Sequence, residues 1–181
     1  LEVGISIPGI ADQVTNTVLY VPYFQWVNWD IGHQITRATS LPVTIDNDAN
    51  AVALAELWFG ADEVKRTRNF IMVMISEGIG TGIVIDGEVY RGENGAAGEF
   101  GHMYVGENAP VVCSCGRQDC WEAHASEKAV IRRYLANGDE SRSAMVDMDH
   151  LIRLAENGEE RATAILKETA NYLGIGISNL I

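Results

Sequence analysis

Apolar and polar positions follow two different periods along this chain, which separates strand-like segments from helix-like segments. Short apolar runs bounded by turn residues predict five strands, at residues 1–7, 42–45, 69–75, 78–85 and 88–90. Apolar residues three or four positions apart predict five helices, at residues 31–40, 49–59, 126–136, 148–157 and 159–180. Residues 11–30 and 91–125 show neither period and are expected to be irregular. This order of elements indicates α/β or α+β layers.

A charged connector, residues 60–68, follows the Ala- and Leu-rich helix and its terminating Gly60. We predict that it divides the chain into an earlier part, residues 1–66, and a later part, residues 67–181. The chain begins in a strand-like run and ends in a helical pattern without a stop signal. We therefore expect it to be an internal piece of a longer natural protein.

Composition argues against a nucleic-acid-binding, membrane-spanning or disulfide-rich secreted protein. The 181 residues are 47% hydrophobic and carry a formal net charge of −12. A surface this acidic repels phosphate backbones, so direct nucleic-acid binding by this chain is not expected. No apolar run approaches the roughly 20 residues that a membrane span requires. The three cysteines lie within eight positions, which is typical of a metal site and not of a secreted disulfide framework. These features predict a bacterial cytoplasmic location.

The cysteines and a nearby histidine have the spacing of a zinc motif. His102, Cys113, Cys115 and Cys120 form the pattern His-x10-Cys-x-Cys-x4-Cys. One His and three Cys are a standard ligand set for structural zinc, and four protein ligands leave no open position for catalysis. Gly116 follows the Cys-x-Cys pair and is free to take a positive φ in a tight turn. The alternative is three unligated cysteines in a reducing cytosol. We predict a structural Zn²⁺ that orders a loop.

Four segments carry recognisable motifs: residues 98–102 (GEFGH), 113–122 (CSCGRQDCWE), 47–50 (NDAN) and 88–98 (EVYRGENGAAG). The first two closely resemble the zinc segment of the ROK (repressor, open reading frame, kinase) family, the third resembles its NDAN motif and the fourth its glycine signature. The resemblance extends through nearly the whole chain. One departure is Asp119, because the family usually has Gly before the last cysteine, although Asp tolerates positive φ better than most residues.

The resemblance implies an actin-like, ribonuclease-H-like α/β fold of two lobes around a cleft, truncated here at both ends and carrying a zinc-stabilised loop. Residues 1–66 would be the later part of the N-terminal lobe, and residues 67–181 most of the C-terminal lobe. It also implies a sugar site with five residues: Asn47, Asp48, Glu99, His102 and Glu122. Carboxylates and amides suit sugar hydroxyls, because buried polar partners discriminate strongly. The other interpretations are a solvated surface acid for Glu122 and a helix N-cap for Asp48.

In the kinases of this family Asp48 would be the general base that takes a proton from a sugar hydroxyl as it attacks ATP, with Mg²⁺ as the second cofactor. The candidate phosphate residues are Gly78, Gly80, Thr81 and Gly82. Alternate glycines also occur where a strand packs tightly against another element. Glu77 stands where family kinases usually carry Thr, and a carboxylate facing a triphosphate is electrostatically unfavourable.

Three functions follow from the resemblance. The first is the sugar-sensing domain of a ROK transcriptional regulator, which binds a hexose or aminosugar derivative. Such a protein would contact DNA only through an upstream helix-turn-helix domain absent from this chain, and is expected to be a homodimer. The second is an ATP-dependent hexose or N-acetylhexosamine kinase. The third is a sugar-binding relic with neither activity. In every case we expect this chain alone to be enzymatically inactive.

Overall fold

The computed structural model describes residues 1–136 and 146–181. Strands and helices are mixed up to residue 89, and the described elements after it are helical. The strands in these ranges are β1 (Val3–Ile7), β2 (Ile10–Asp12), β3 (Thr17–Val21), β4 (Trp26–Trp29), β5 (Val43–Asn47), β6 (Phe70–Ile75), β7 (Ile79–Ile85) and β8 (Glu88–Val89). The helices are α1 (Ile31–Thr39), α2 (Asp48–Phe59), α3 (Asp62–Arg66), α4 (Trp121–Ala125), α5 (Glu127–Leu135), α6 (Met148–Glu156) and α7 (Glu160–Leu180), with a 3-10 turn at Phe100–His102. The five predicted strands and five predicted helices are all present.

Contacts group the described chain into two compact units. The first unit contains residues 1–74 and 80–99, and the second contains residues 75–79 and 100–181. The turn between β6 and β7 therefore belongs to the second unit, although most of both strands belongs to the first. The division into lobes at residues 66 and 67 stays a prediction.

Within the first unit, β1 and β5 form a parallel pair whose register runs from Val3 opposite Val43 to Ile7 opposite Asn47. Ile45 at the centre of β5 is fully buried, with Ile7 and Val43 beside it in the same core cluster. Fully burying a side chain of this size stabilises the fold by about 1.5–3 kcal/mol. The pairing therefore leaves Asn47 at the carboxyl end of a well-packed strand, directly before α2.

Residues 11–30 are not irregular, and the prediction for this segment was wrong. They contain most of an antiparallel sheet in the order β2-β3-β4. Val18 and Val21 on β3 are fully buried. Asn16 and Gln25 take positive φ values of 51° and 54° close to the strand ends. The strand sequences IAD, TVLYV and WVNW show no strict alternation of apolar and polar positions, so their periodicity gave no strand signal.

The third sheet has the order β6-β7-β8. The turn between β7 and β8 is the predicted hairpin, because Asp86 and Gly87 have φ values of 53° and 81° and a two-residue hairpin favours positive φ at both positions. Val84 and Val89 are buried on this sheet together with Ala53 of α2. The apolar cluster fixes α2 against β7.

Helices dominate the second unit. Val130 of α5, Leu151 of α6 and Ile165 of α7 form its helical core. His124 of α4 is buried and stacks on Tyr172 of α7 with ring centroids 4.1 Å apart. No helix within the described ranges has both the length and the apolar content needed to cross a membrane.

Candidate functional site

The four predicted metal ligands converge in the second unit. One ligand atom from each of His102, Cys113, Cys115 and Cys120 lies within 4.8 Å of the others. His102 Nδ1 is 3.1 Å from Cys113 Sγ, and the sulfurs of Cys115 and Cys120 are 3.4 Å apart. A tetrahedral zinc ion with bonds of about 2.0–2.3 Å places its ligand atoms about 3.5 Å apart. The donor set and its spacing therefore fit a closed metal site.

Hydrogen bonds shape the cysteine loop, residues 103–120, which lies between the 3-10 turn and α4. The backbone N–H of Cys113 donates to the Arg117 carbonyl and that of Gly116 to the Cys113 carbonyl, both at 2.8 Å. Gly116 has a φ of 89°, which confirms the predicted positive φ. Asp119 does not take a positive φ and instead forms an ion pair with Arg117 at 3.5 Å. The departure from Gly at position 119 is therefore compatible with the turn.

The three thiols have different electrostatic environments. Burial raises the pKa values of Cys113 and Cys120 above the usual thiol range. Burial also raises the pKa of Cys115, but hydrogen bonds from the Arg117 backbone and guanidinium outweigh it and lower that pKa to about 6. The exposed Cys115 is therefore the thiol that ionises most readily, and ionised sulfur is the form that binds a metal.

Glu122 is held between the cysteine loop and the turn that joins β6 to β7. It is the second residue of α4 and lies two positions after Cys120. Its Oε1 is 3.4 Å from the Cys113 sulfur, and its Oε2 accepts a hydrogen bond from the Ile79 backbone N–H at 3.2 Å. A Cβ at Gly78 would lie 2.5 Å from that Oε2. Glu122 is thus a fixed, partly buried group and not a solvated surface acid.

Asn47, and not Asp48, is the N-cap of α2. The Asn47 Oδ1 accepts hydrogen bonds from the backbone N–H groups of Ala49 and Asn50, at 2.9 and 3.1 Å. Its Nδ2 donates to the Gly9 carbonyl at 3.1 Å. Asp48 is the first residue of the helix and is partly buried, with Oδ1 accepting from the Ala49 N–H at 2.8 Å. Burial raises the pKa of Asp48, and that backbone hydrogen bond opposes the rise.

The five predicted sugar ligands are distributed over both units. Asn47, Asp48 and the exposed Glu99 belong to the first unit, whereas His102 and Glu122 belong to the second. Within the second unit, His102 and Glu122 both contact Cys113. Within the first unit, Asn47 and Asp48 are adjacent at the junction of β5 and α2.

The alternate glycines of β7 make close protein contacts. A Cβ at Gly82 would lie 2.6 Å from the Ala53 Cβ, and one at Gly80 would lie 2.9 Å from the Ala49 Cβ. Thr81 is buried, and its hydroxyl donates a hydrogen bond to the Gly98 carbonyl. Close packing of α2 on β7 therefore accounts for Gly80 and Gly82, and the proximity of Glu122 accounts for Gly78. The nucleotide role of these residues stays a prediction.

One feature near Asn47 was missed by sequence reasoning. Arg91 and Asp46 form an ion pair with a nitrogen–oxygen distance of 2.7 Å. The two residues are 45 positions apart, and neither belongs to a motif that assigns it a partner. The available signals were their opposite charges, the place of Asp46 directly before the NDAN motif and the place of Arg91 inside the glycine signature.

Comparison with known sequences identifies the family of this chain. The sequence model of the ROK family matches residues 1–181, and the chain therefore belongs to the ROK family. The xylose repressor of Bacillus subtilis (strain 168) is 36% identical over 181 residues, which are 100% of this chain and 45% of the repressor. The chain spans about half the length of the curated repressors it matches.

Two solved structures show the same fold with different functions. A ROK family glucokinase from Streptomyces griseus, in complex with glucose and AMPPNP, has a TM-score of 0.83 and 32% identity, covering 99% of this chain and 61% of the kinase. A ROK family transcriptional regulator has a TM-score of 0.81 and 30% identity, covering 99% of this chain and 46% of the regulator. The chain therefore has the α/β fold of ROK proteins, which is of the actin-like ATPase class.

Proposed function

We propose that this chain is the sugar-sensing effector domain of a ROK transcriptional regulator. The observation that carries the proposal is the concentration of carboxylates at the turn between β6 and β7. Glu77 is exposed in this turn, and the Glu122 carboxylate already accepts the hydrogen bond from the Ile79 N–H. Backbone N–H groups of glycine-rich turns serve as phosphate ligands in nucleotide sites, and two nearby carboxylates oppose a triphosphate there.

The proposed ligand is a monosaccharide, either a hexose or an aminosugar derivative. The similarity to a xylose repressor adds D-xylose to the candidates. We propose that its hydroxyls are bound by five residues: Asn47, Asp48, Glu99, His102 and Glu122. Each provides a carboxylate, amide or imidazole, and such groups pair with hydroxyls and penalise ligands that leave them unpaired.

We propose that the metal is Zn²⁺ and that its role is structural. His102, Cys113, Cys115 and Cys120 would fill all four positions of a tetrahedral site and leave none for a substrate. A bound zinc ion would cross-link His102, which directly precedes the cysteine loop, to the three cysteines within the loop. Since Cys113 contacts Glu122, an ordered loop keeps the Glu122 carboxylate in one orientation.

Regulation would be a population shift, in which the sugar binds one arrangement of the whole protein more tightly than another. DNA contact is assigned to a helix-turn-helix domain outside this chain, because the chain itself is acidic. A homodimer and a cytoplasmic location are further parts of this proposal.

The second candidate is an ATP-dependent sugar kinase, favoured by the position and environment of Asp48. Burial raises the pKa of this carboxyl, which brings a general base closer to its working pH. ATP and Mg²⁺ would be its cofactors, with Gly78, Gly80, Thr81 and Gly82 as phosphate ligands. The similarity to a glucokinase bound to glucose and AMPPNP is consistent with this alternative.

One pair of assays on the full-length natural protein separates the two candidates. Thermal shifts are measured with D-xylose, D-glucose and N-acetyl-D-glucosamine, and sugar-dependent ATP turnover is measured with the same sugars. The regulator is expected to be stabilised by at least one sugar without turning over ATP. Robust turnover that disappears in Asp48→Asn would replace the regulator with the kinase. Binding without either turnover or a helix-turn-helix domain would indicate the relic.

A further inference from the structure

Arg91 and Asp46 form an ion pair in the first unit, and Asp46 directly precedes Asn47. The Arg91 Nε and NH2 atoms approach Asp46 Oδ2 at 3.1 and 2.7 Å. Their side chains are only 27% and 14% exposed. A partly buried, charge-assisted pair of this kind is stronger and less screened by salt than a surface pair.

Asp46 connects this ion pair to the start of α2. Its Oδ1 accepts a hydrogen bond from the backbone N–H of Asn47 at 2.8 Å. The amide of Asn50 approaches the same oxygen at 3.5 Å. The carboxylate therefore contacts the backbone that carries Asn47 and, one residue later, Asp48.

Arg91 anchors the other side of the pair. It opens the glycine-rich segment, residues 91–99, whose last residue is Glu99. Its NH1 donates to the Val89 carbonyl at 3.2 Å, and its own carbonyl accepts from the Ala97 N–H at 3.1 Å. Ordering a glycine-rich segment costs more conformational entropy than ordering other sequences, so specific anchors are needed.

The segment has a second anchor at its far end. There the Thr81 hydroxyl of β7 donates to the Gly98 carbonyl, directly before Glu99. The segment is therefore attached to β5 through Arg91 and to β7 through Thr81. With both attachments present, the backbone that carries Glu99 is constrained relative to the β5–α2 junction within the first unit.

We propose that Arg91 and Asp46 are positioning residues for sugar binding. Their ion pair couples the segment that ends in Glu99 to the backbone of Asn47 and Asp48, so that these groups are preorganised for one ligand. This inference rests on the proposed sugar-binding function. It adds two residues that do not themselves bind the sugar, and a supporting group of this kind sets the precision of a binding site.

The test compares Arg91→Ala, Arg91→Lys and Asp46→Asn in the full-length natural protein. Calorimetric titration with D-xylose and with D-glucose gives the sugar Kd, and metal analysis confirms equal zinc content. Loss of the pair is expected to raise the Kd about tenfold, because small misplacements of binding groups are costly. Arg91→Lys keeps the charge but lacks the planar fork, so a smaller rise is expected. Arg37→Ala, at an exposed arginine in the last turn of α1, is the control.

Two further readouts distinguish positioning from simple stabilisation. Hydrogen exchange is expected to accelerate in residues 91–99 of Arg91→Ala. The double variant Arg91→Ala/Asp46→Asn is expected to have a Kd close to that of either single variant, because both remove one interaction. A lowered Tm with unchanged Kd and unchanged exchange would overturn the proposal and leave a structural ion pair. Should the unmodified protein bind none of D-xylose, D-glucose and N-acetyl-D-glucosamine, the proposed function itself fails, while the exchange measurement still reports on the anchor.

Discussion

The β5–α2 junction and the cysteine loop both carry candidate sugar ligands, but different forces hold them. At the junction, Asn47 caps α2 and lies beside the buried Ile45 and Ala49, so regular hydrogen bonding and apolar packing define the geometry. The cysteine loop between the 3-10 turn and α4 contains little regular structure and depends on the cluster of His102 and three cysteines. The β5–α2 junction is therefore expected to keep its geometry without a metal, whereas the cysteine loop is expected to need one.

Removing a metal ligand should have the largest effect on folding stability. Cys113→Ser is expected to lower bound zinc from about one ion per chain to well below one, and to destabilise the second unit by several kcal/mol, since binding of structural zinc contributes about 10–16 kcal/mol to folding. Metal analysis and thermal unfolding measure both effects. Gln118→Ala, an exposed position in the same loop, is the matched control.

The cysteine variant also tests the comparison between the regions. Hydrogen exchange in α2 should be unchanged in Cys113→Ser, because that helix is capped and packed within the first unit. Purified protein with full stability and no zinc would show that the cysteine loop folds without a metal.

Gly82→Ala should disturb the first unit without affecting the metal. The added Cβ would lie 2.6 Å from the Ala53 Cβ and 2.7 Å from the Ala49 carbonyl oxygen, so α2 and β7 must separate. The expected loss is about 1–3 kcal/mol in the free energy of unfolding, measured by denaturant titration. Gly4→Ala is the control, because a Cβ there meets no atom within 4 Å. Equal stability of both variants would contradict the close packing described for β7.

Asn47→Ala removes the cap of α2. The loss of two capping hydrogen bonds and of the bond to the Gly9 carbonyl should cost about 1–2 kcal/mol. Asn47→Asp retains an oxygen at the cap and should recover most of that stability, although it cannot donate to Gly9. Sugar affinity is expected to fall in both variants. Recovery of stability without recovery of affinity would separate capping from ligand binding.

The smallest effect on folding stability is expected for Asp48→Asn, and this effect depends on pH. Burial raises the folded-state pKa of Asp48 above the unfolded value, so the folded state retains its proton to higher pH. The carboxyl therefore reduces stability as pH rises through the interval between these two pKa values. At pH 7.5 the variant should be more stable by less than about 1 kcal/mol, and the difference should shrink near pH 4.5. Thermal unfolding of both proteins at the two pH values gives the sign.

Local patterns predicted the main strands and helices but not every element. The apolar runs at β1 and β7 end at clear turn pairs, Pro8-Gly9 and Asp86-Gly87, which made them recognisable as strands. By contrast, β2, β3 and β4 show no strict alternation, and the aromatic residues of β3 and β4 obscure any period. A helix N-cap was the alternative interpretation of Asp48, but the N-cap of α2 is Asn47, because helix ends depend on dihedral angles that residue type only partly determines.

The sequence by itself determined the α/β class, the family and the chemistry of the four metal ligands. These properties reside in short segments whose residue types and spacing are sufficient evidence. Only the tertiary structure decided that Glu122 accepts a hydrogen bond from Ile79 and that Arg91 pairs with Asp46. Both contacts join residues more than 40 positions apart. Such pairs form only when the packed core brings distant segments together, and no local pattern specifies them.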